Sequence, residues 1–208
     1  MRCVLIGGGE IINYDYIRGY LRSDDFIIVC DGGQNHLGEL GVKPNLLVGD
    51  FDSSDKPSGK VETIVLPCEK DDTDSVYAAK EAQKRGFKDF LLLGMTGGRL
   101  DHTLCNLSLM LYLHRAGATA VMVDERCEIT VCADKTQKVG QEFKYFSLLN
   151  IFGMAQLVDI ENAKYNLKGA TILEDYQYAV SNEPLAPFAK VKVGKGEALL
   201  IKMREVNK

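Results

Sequence analysis

Residues 26–53 read FIIVCDGGQNHLGELGVKPNLLVGDFDS. Two apolar runs, Phe26–Cys30 and Leu46–Val48, each end in glycine and aspartate. The first gives Asp31-Gly32-Gly33 and the second Gly49-Asp50-Phe51-Asp52-Ser53. Short β-prone runs bounded by turn residues read as buried strands. Between them Gln34–Leu40 fits a short helix, stopped by Gly41 and Pro44. The same alternation extends both ways. Val4–Ile6 is a strand that ends in Gly7-Gly8-Gly9, and Tyr14–Arg22 has a helical pattern. Val61–Leu66 reads as a strand, Thr73–Arg85 as a helix ending at Gly86, Phe90–Leu93 as a strand, Asp101–Arg115 as a helix and Ala120–Val123 as a strand. Strands alternating with helices predict an α/β domain with a mostly parallel sheet over residues 1–124.

After Asp124 the helical period disappears. Glu128–Cys132, Glu142–Leu149, Ala155–Ile160, Ala170–Leu173 and Ala198–Met203 are β-prone stretches separated by glycine and polar turns. That texture predicts a C-terminal all-β sandwich domain over residues 125–208.

The composition allows such a pair of domains. The chain has 208 residues, 46% of them hydrophobic and 26% charged, which excludes a disordered, collagenous or low-complexity protein. A net charge of −4 leaves no broad electrostatic footprint for nucleic acid or an anionic membrane. The six cysteines (Cys3, Cys30, Cys68, Cys105, Cys127 and Cys132) contain no CxxC pair, so they read as reduced, mostly buried small hydrophobes. The N-terminal run reads as a first strand, and no apolar run reaches the ~20 residues of a membrane span. A cytoplasmic protein is expected.

The acids are placed informatively. In an open parallel sheet, ligands bind beyond the carboxyl ends of the strands. In this chain those ends carry Asp31-Gly32-Gly33, Gly49-Asp50-Phe51-Asp52-Ser53, Lys70-Asp71-Asp72-Thr73-Asp74 and Gly97-Gly98-Arg99-Leu100-Asp101-His102. On an extended segment Asp50 and Asp52 would share a face, with Phe51 turned into the core. Two aimed carboxylates suit magnesium, which takes one or two of them plus phosphate oxygens. Equally, they fit a turn with capping acids. Thr73 fits a helix cap with Asp74 in the first turn, and Asp74 also fits a third acid beside Asp50 and Asp52. Lys70 adds positive charge for phosphate or for the acids, and Asp71 and Asp72 are placed to hold Lys70 or metal-bound water. Gly97-Gly98-Arg99 before a helix suits an anion, through backbone N–H groups and the guanidinium fork. Asn106 faces either the pocket or a neighbouring strand. His36 reads as a surface residue, His102 as a cap and His114 as a helix C-terminal cation. Neither a P-loop nor a Gly-x-Ser-x-Gly elbow is present, and Gly7-Gly8-Gly9 does not continue into GxGxxG.

Together these blocks, with Asn35, Asn106 and a later Ser181-Asn182-Glu183, resemble the thiamine pyrophosphokinase family in its bacterial form. The resemblance runs from Gly7 to Glu183. It implies an α/β domain followed by a β-sandwich domain, a homodimer with the active site at the subunit interface, and ATP and thiamine as substrates. The implied reaction moves the diphosphate of ATP to the thiamine hydroxyl, giving thiamine diphosphate and AMP, with magnesium. By the same resemblance Asp50, Asp52 and Asp74 are the metal ligands. Asp31, Gly32, Asn35, Lys70, Thr73, Gly98, Arg99 and Asn106 line the ATP region, and Asp71, Asp74, Arg99 and Asp101 are catalytic. Ser181 and Asn182 contact thiamine. The chain has no Trp, which some relatives set against the thiamine ring. Tyr176, Tyr178 and Phe188 are flat side chains in the same half, and the sequence does not choose among them. Two other readings use the same acidic loops: a magnesium-dependent nucleotide phosphohydrolase, and a non-catalytic thiamine- or nucleotide-binding module.

Overall fold

In the computed structural model, residues 1–51, 61–67, 69 and 71–205 are described. The chain divides into two compact units, Met1–Glu125 and Arg126–Lys208. No helix among the described residues is long and apolar enough to cross a membrane.

Among the described residues the first unit is built on six strands: β1 (Cys3–Ile6), β2 (Phe26–Cys30), β3 (Leu46–Gly49), β4 (Glu62–Val65), β5 (Asp89–Leu93) and β6 (Thr119–Val123). They pair in the order β4-β3-β2-β1-β5-β6, and every pairing is parallel. The chain therefore builds outward from β1 on one side and returns to β1's other flank with β5. That reversal makes a topological switch point, where a crevice opens beyond the strand ends.

Among the described residues four helices cover the sheet: α1 (Tyr14–Arg18), α2 (Leu37–Leu40), α3 (Asp74–Lys84) and α4 (Leu100–Arg115). β1 is buried on both faces, as parallel strands require. Val4 and Ile6 share one cluster with Ile17 of α1 and Leu40 of α2. Cys3 and Leu5 point the other way by the two-residue period of a strand. α3 packs over β1, β2 and β3, burying Ala78, Ala79 and Ala82; these small side chains let the helix lie close to the sheet.

Two local details differ from the expectation. The first helix stops at Arg18 and not Arg22, because Gly19 follows and the N–H of Tyr20 closes a tight turn onto the Ile17 carbonyl. Asp31–His36 forms a 3₁₀ turn ahead of α2, which ends at Gly41 in the left-handed conformation (φ 67°). At Phe51 the backbone is left-handed (φ 53°), and the pairing of Asp50 with Asp52 on one face lies outside the described residues, as Asp52 does. Turning the chain there lets Phe51 bury itself in the cluster with Val29 and Leu47.

Among its described residues the second unit contains seven strands in two antiparallel sheets. One is β7 (Cys127–Cys132), β13 (Ala198–Met203) and β9 (Tyr145–Leu149), in that order. The other runs β11 (Leu167–Ile172), β10 (Ala155–Glu161), β12 (Phe188–Gly196) and β8 (Gln137–Gly140). Phe146, Leu148 and Leu200 from the first sheet share one apolar core with Val158, Ile160, Val191 and Val193 from the second.

Candidate active site

A cleft of about 740 Å³ opens at the switch point, lined wholly by residues of the first unit. Its walls come from Gly7–Glu10 after β1, Cys30–Gly32 after β2, Thr73–Ser75 at the start of α3, Gly94, Met95 and Gly97–Arg99 after β5, and His102 and Asn106 of α4. Four separate loops thus converge on one space.

Glycine makes the convergence possible. A Cβ on Gly9 would lie 2.3 Å from the Thr96 carbonyl oxygen, and one on Gly94 would lie 2.5 Å from that of Gly7. The β1 and β5 loops therefore touch backbone to backbone, joined by hydrogen bonds from Gly7 N–H to Leu93 O (2.9 Å) and Gly9 N–H to Gly94 O (2.7 Å). Gly7-Gly8-Gly9 lacks the dinucleotide pattern. Its role is close packing at the cleft wall, and three consecutive glycines at a strand end were the available signal.

A chain of side-chain hydrogen bonds ties the opposite wall together. Thr73 Oγ1 accepts from the Val76 N–H at 3.4 Å, capping α3, and lies 3.1 Å from Ser75 Oγ. Ser75 Oγ donates to Asn106 Oδ1 at 2.9 Å, and Asn106 Nδ2 donates to the Met95 carbonyl at 2.9 Å. Asn106 thus both lines the cleft and links α3, α4 and the β5 loop. Ser75, which the sequence reading did not single out, is a member of that chain.

The charged residues separate into groups. Asp74 and Asp31 both line the cleft. Burial pushes the Cys30 thiol up from its ordinary range, helped by the neighbouring Asp74 and Asp31 carboxylates. Arg99 lines the cleft too, but its guanidinium is held by Asp101 through two bonds, Nε to Oδ1 at 3.1 Å and Nη2 to Oδ2 at 2.6 Å. Hydrogen bonding to Arg99 draws the Asp101 carboxyl down to about 2. Asp72 is paired with Lys80 at 2.7 Å. Asp71 and Asn35 are exposed and lie outside the residues that line the cleft, and Asp50 is half-buried beyond the end of β3. Gly32, Thr73 and Gly98 are in the wall. Asp52 and Lys70 lie outside the described residues. Among the described residues no three His, Cys, Asp or Glu side chains are grouped to hold a metal ion.

His36 is not the surface residue expected from the sequence. It is buried, with Nδ1 2.7 Å from the Tyr14 hydroxyl and Nε2 2.9 Å from the Gly9 carbonyl. Folding the 3₁₀ turn back under the β1 loop is what encloses it. In the second unit Ser181 is exposed, with a left-handed backbone (φ 54°). The Asn182 side chain is buried and engaged internally: Oδ1 accepts from the Tyr165 N–H (2.9 Å) and Nδ2 donates to the Tyr165 carbonyl (2.7 Å).

A family model described as thiamin pyrophosphokinase, catalytic domain, matches residues 17–122. The chain belongs to that family. Its activity is that of a thiamine diphosphokinase, an ATP-dependent transferase. The matched span includes the strand ends and helix starts that form most of the cleft. A thiamine pyrophosphokinase of Bacillus subtilis strain 168 is 23% identical over 95% of this chain and 96% of its own length. The crystal structure of thiamine pyrophosphokinase from Bacillus subtilis shares the fold with a TM-score of 0.88, at 22% identity over 99% of this chain and 100% of that one. That of Geobacillus thermodenitrificans thiamin pyrophosphokinase gives 0.85, at 26% identity over 100% and 99%.

Proposed function

We propose that the switch-point cleft is where the enzyme holds ATP, whose terminal diphosphate passes to the hydroxyl of thiamine to give thiamine diphosphate and AMP. The observation that carries this is the meeting of the Gly7–Gly9, Asp31–Gly32, Thr73–Ser75 and Gly97–Arg99 segments around one space. Backbone amides at glycine loops and helix starts suit phosphate oxygens. Gly32 and Gly98 offer close backbone approach; Thr73 and Asn106 hold the α3 wall against the nucleotide, and Asp31 and Asn35 flank it.

The donor chemistry fits magnesium. Asp74, Asp50 and Asp52 offer carboxylate oxygens only, and magnesium needs no full protein cage because phosphate oxygens and water complete its shell. These three residues would hold the ion, which when bound neutralises charge on the triphosphate. Arg99 and Lys70 bind the same phosphates. For Arg99 that requires release from Asp101, a direct exchange of a carboxylate partner for a phosphate one. Diphosphoryl transfer depends mainly on positioning and charge neutralisation. Asp71 and Asp101 are the two acids that could accept the thiamine hydroxyl proton, Asp101 once Arg99 has left it for the phosphates.

The second unit is assigned to thiamine, with Ser181 presenting its side chain and Asn182 shaping the turn from within. A magnesium-dependent homodimer working in the cytoplasm completes the reading.

Asp74→Asn tests the assignment. Turnover should fall at least about a hundredfold with unfolding temperature preserved, on the scale of losing one electrostatic element of a phosphoryl-transfer site. Near-normal turnover would remove Asp74 from the machinery. AMP should form only with thiamine present; AMP without acceptor would favour the phosphohydrolase.

A further inference from the structure

We infer that His36 is a positioning residue for nucleotide binding: with Tyr14 it clamps the Gly7–Gly9 loop that walls the cleft. The inference rests on the reading of that cleft as the ATP site.

The chemistry of the partners fixes which nitrogen donates to the loop. The Gly9 carbonyl can only accept, so the Nε2 atom 2.9 Å away carries a proton. Nδ1 lies 2.7 Å from the Tyr14 hydroxyl and accepts that O–H in the neutral ring. The two rings also pack at 5.8 Å between centroids. Three separate segments are joined in this way: the loop after β1, the 3₁₀ turn after β2, and α1.

The loop needs such a clamp. A run of three glycines has more conformational freedom to lose than any other sequence, so nothing within it selects one shape. On one side Gly9 N–H is fixed to Gly94 O at 2.7 Å. On the other, His36 holds the Gly9 carbonyl. The two peptide groups flanking Gly9 are thereby oriented from opposite directions. His36 also ends the turn that begins at Asp31-Gly32, and a Cβ on Gly8 would lie 3.1 Å from Gly32 Cα. One imidazole therefore sets the distance between two walls of the cleft. Without it, ATP must select a competent loop shape from a broader population, and apparent affinity falls by the competent fraction.

The test uses the full-length enzyme. His36→Leu should raise the KM for ATP about tenfold, the scale of one lost buried hydrogen bond, with kcat within about twofold. The KM for thiamine should not change. His36→Gln, whose amide reaches the Nε2 position, should restore most of the ATP affinity, and Tyr14→Phe should weaken it by a smaller factor. Long-range ¹H–¹⁵N correlation on the wild-type ring should show Nε2 protonated and Nδ1 bare. A proton on Nδ1, a wild-type KM for ATP in His36→Leu, or equal rises in both KM values would each overturn the inference. If His36→Leu does not fold, the Gln and Phe variants and the tautomer measurement decide. Amide shifts on ATP titration separate the two levels. If ATP leaves Gly8, Gly32 and Gly98 unmoved, the cleft reading falls and takes the inference with it. If ATP moves them while His36→Leu binds normally, only the clamp is refuted.

Discussion

Replacing Asn106 with leucine should both destabilise the enzyme and loosen its ATP site. Asn106 is buried, and its amide has one partner on each side, the Met95 carbonyl and the Ser75 hydroxyl, both at 2.9 Å. Leucine has nearly the same shape, so packing is kept while both bonds are lost. The Met95 carbonyl loses its side-chain donor, and Ser75 Oγ loses an acceptor but retains Thr73 Oγ1 at 3.1 Å. One fully stranded group and one partly rescued group cost about 3 kcal/mol together. For a chain of this length that is a fall in Tm of roughly 6–12 °C. Ser75→Ala alone should cost about 1 kcal/mol, and a double-mutant cycle between the two sites should show a coupling of at least about 0.5 kcal/mol. Circular dichroism melting and urea titration of the four proteins supply the stabilities, and steady-state kinetics supply the KM for ATP. Strict additivity, or an Asn106→Leu protein that melts with the wild type, would refute the chain of hydrogen bonds from α3 to the β5 loop.

The Arg2–Asp25 pair is a largely buried charge contact of the first unit. Its Nη2–Oδ2 distance is 2.7 Å, and the side chains are 11% and 0% exposed. Asp25→Ala leaves the guanidinium buried without its counter-charge and should cost about 3–5 kcal/mol in urea unfolding. Asp101 gives a pH signature. Its carboxyl is drawn from 3.8 to about 2 by Arg99, so the ion pair's contribution is fully present above about pH 4 and disappears as pH falls through about 2. In Arg99→Ala the Asp101 carboxyl should titrate near its ordinary value by ¹³C NMR. Two glycines make a contrasting pair. Gly9→Ala would force a Cβ to within 2.3 Å of the Thr96 carbonyl, so it should destabilise by about 1–3 kcal/mol and weaken ATP binding. Gly38→Ala in α2 meets nothing within 4 Å and should stabilise by about 0.4–1 kcal/mol in the same melt.

The elements were legible where their signals are local. Thr73 capping α3, Gly41 closing α2 and the apolar β2 and β3 runs each depend on residues a few positions apart. β12 was missed, although it is nine residues long. Ala189, Val191 and Val193 point inward, but Lys190 and Lys192 between them dilute the apolar signal, and only cross-strand pairing with Asp159 and Glu161 explains the lysines. β8 was missed for want of apolar residues, with only Val139 buried among its four.

By itself, the sequence determined the alternation of strands and helices in the first half, the β-rich second half, the glycine and aspartate loops at strand ends, and the resemblance to one family. All of these are written in neighbouring residues. Tertiary structure alone decided that β5 returns to the flank of β1, and so which loops meet. It buried His36 beneath Gly9, paired Asp72 with Lys80 and Arg99 with Asp101, and turned the Asn182 amide inward onto Tyr165. The reason is physical: turn chemistry and hydrophobic period act over a few residues, whereas strand order, burial and the partner each polar group finds are set by segments tens of residues apart.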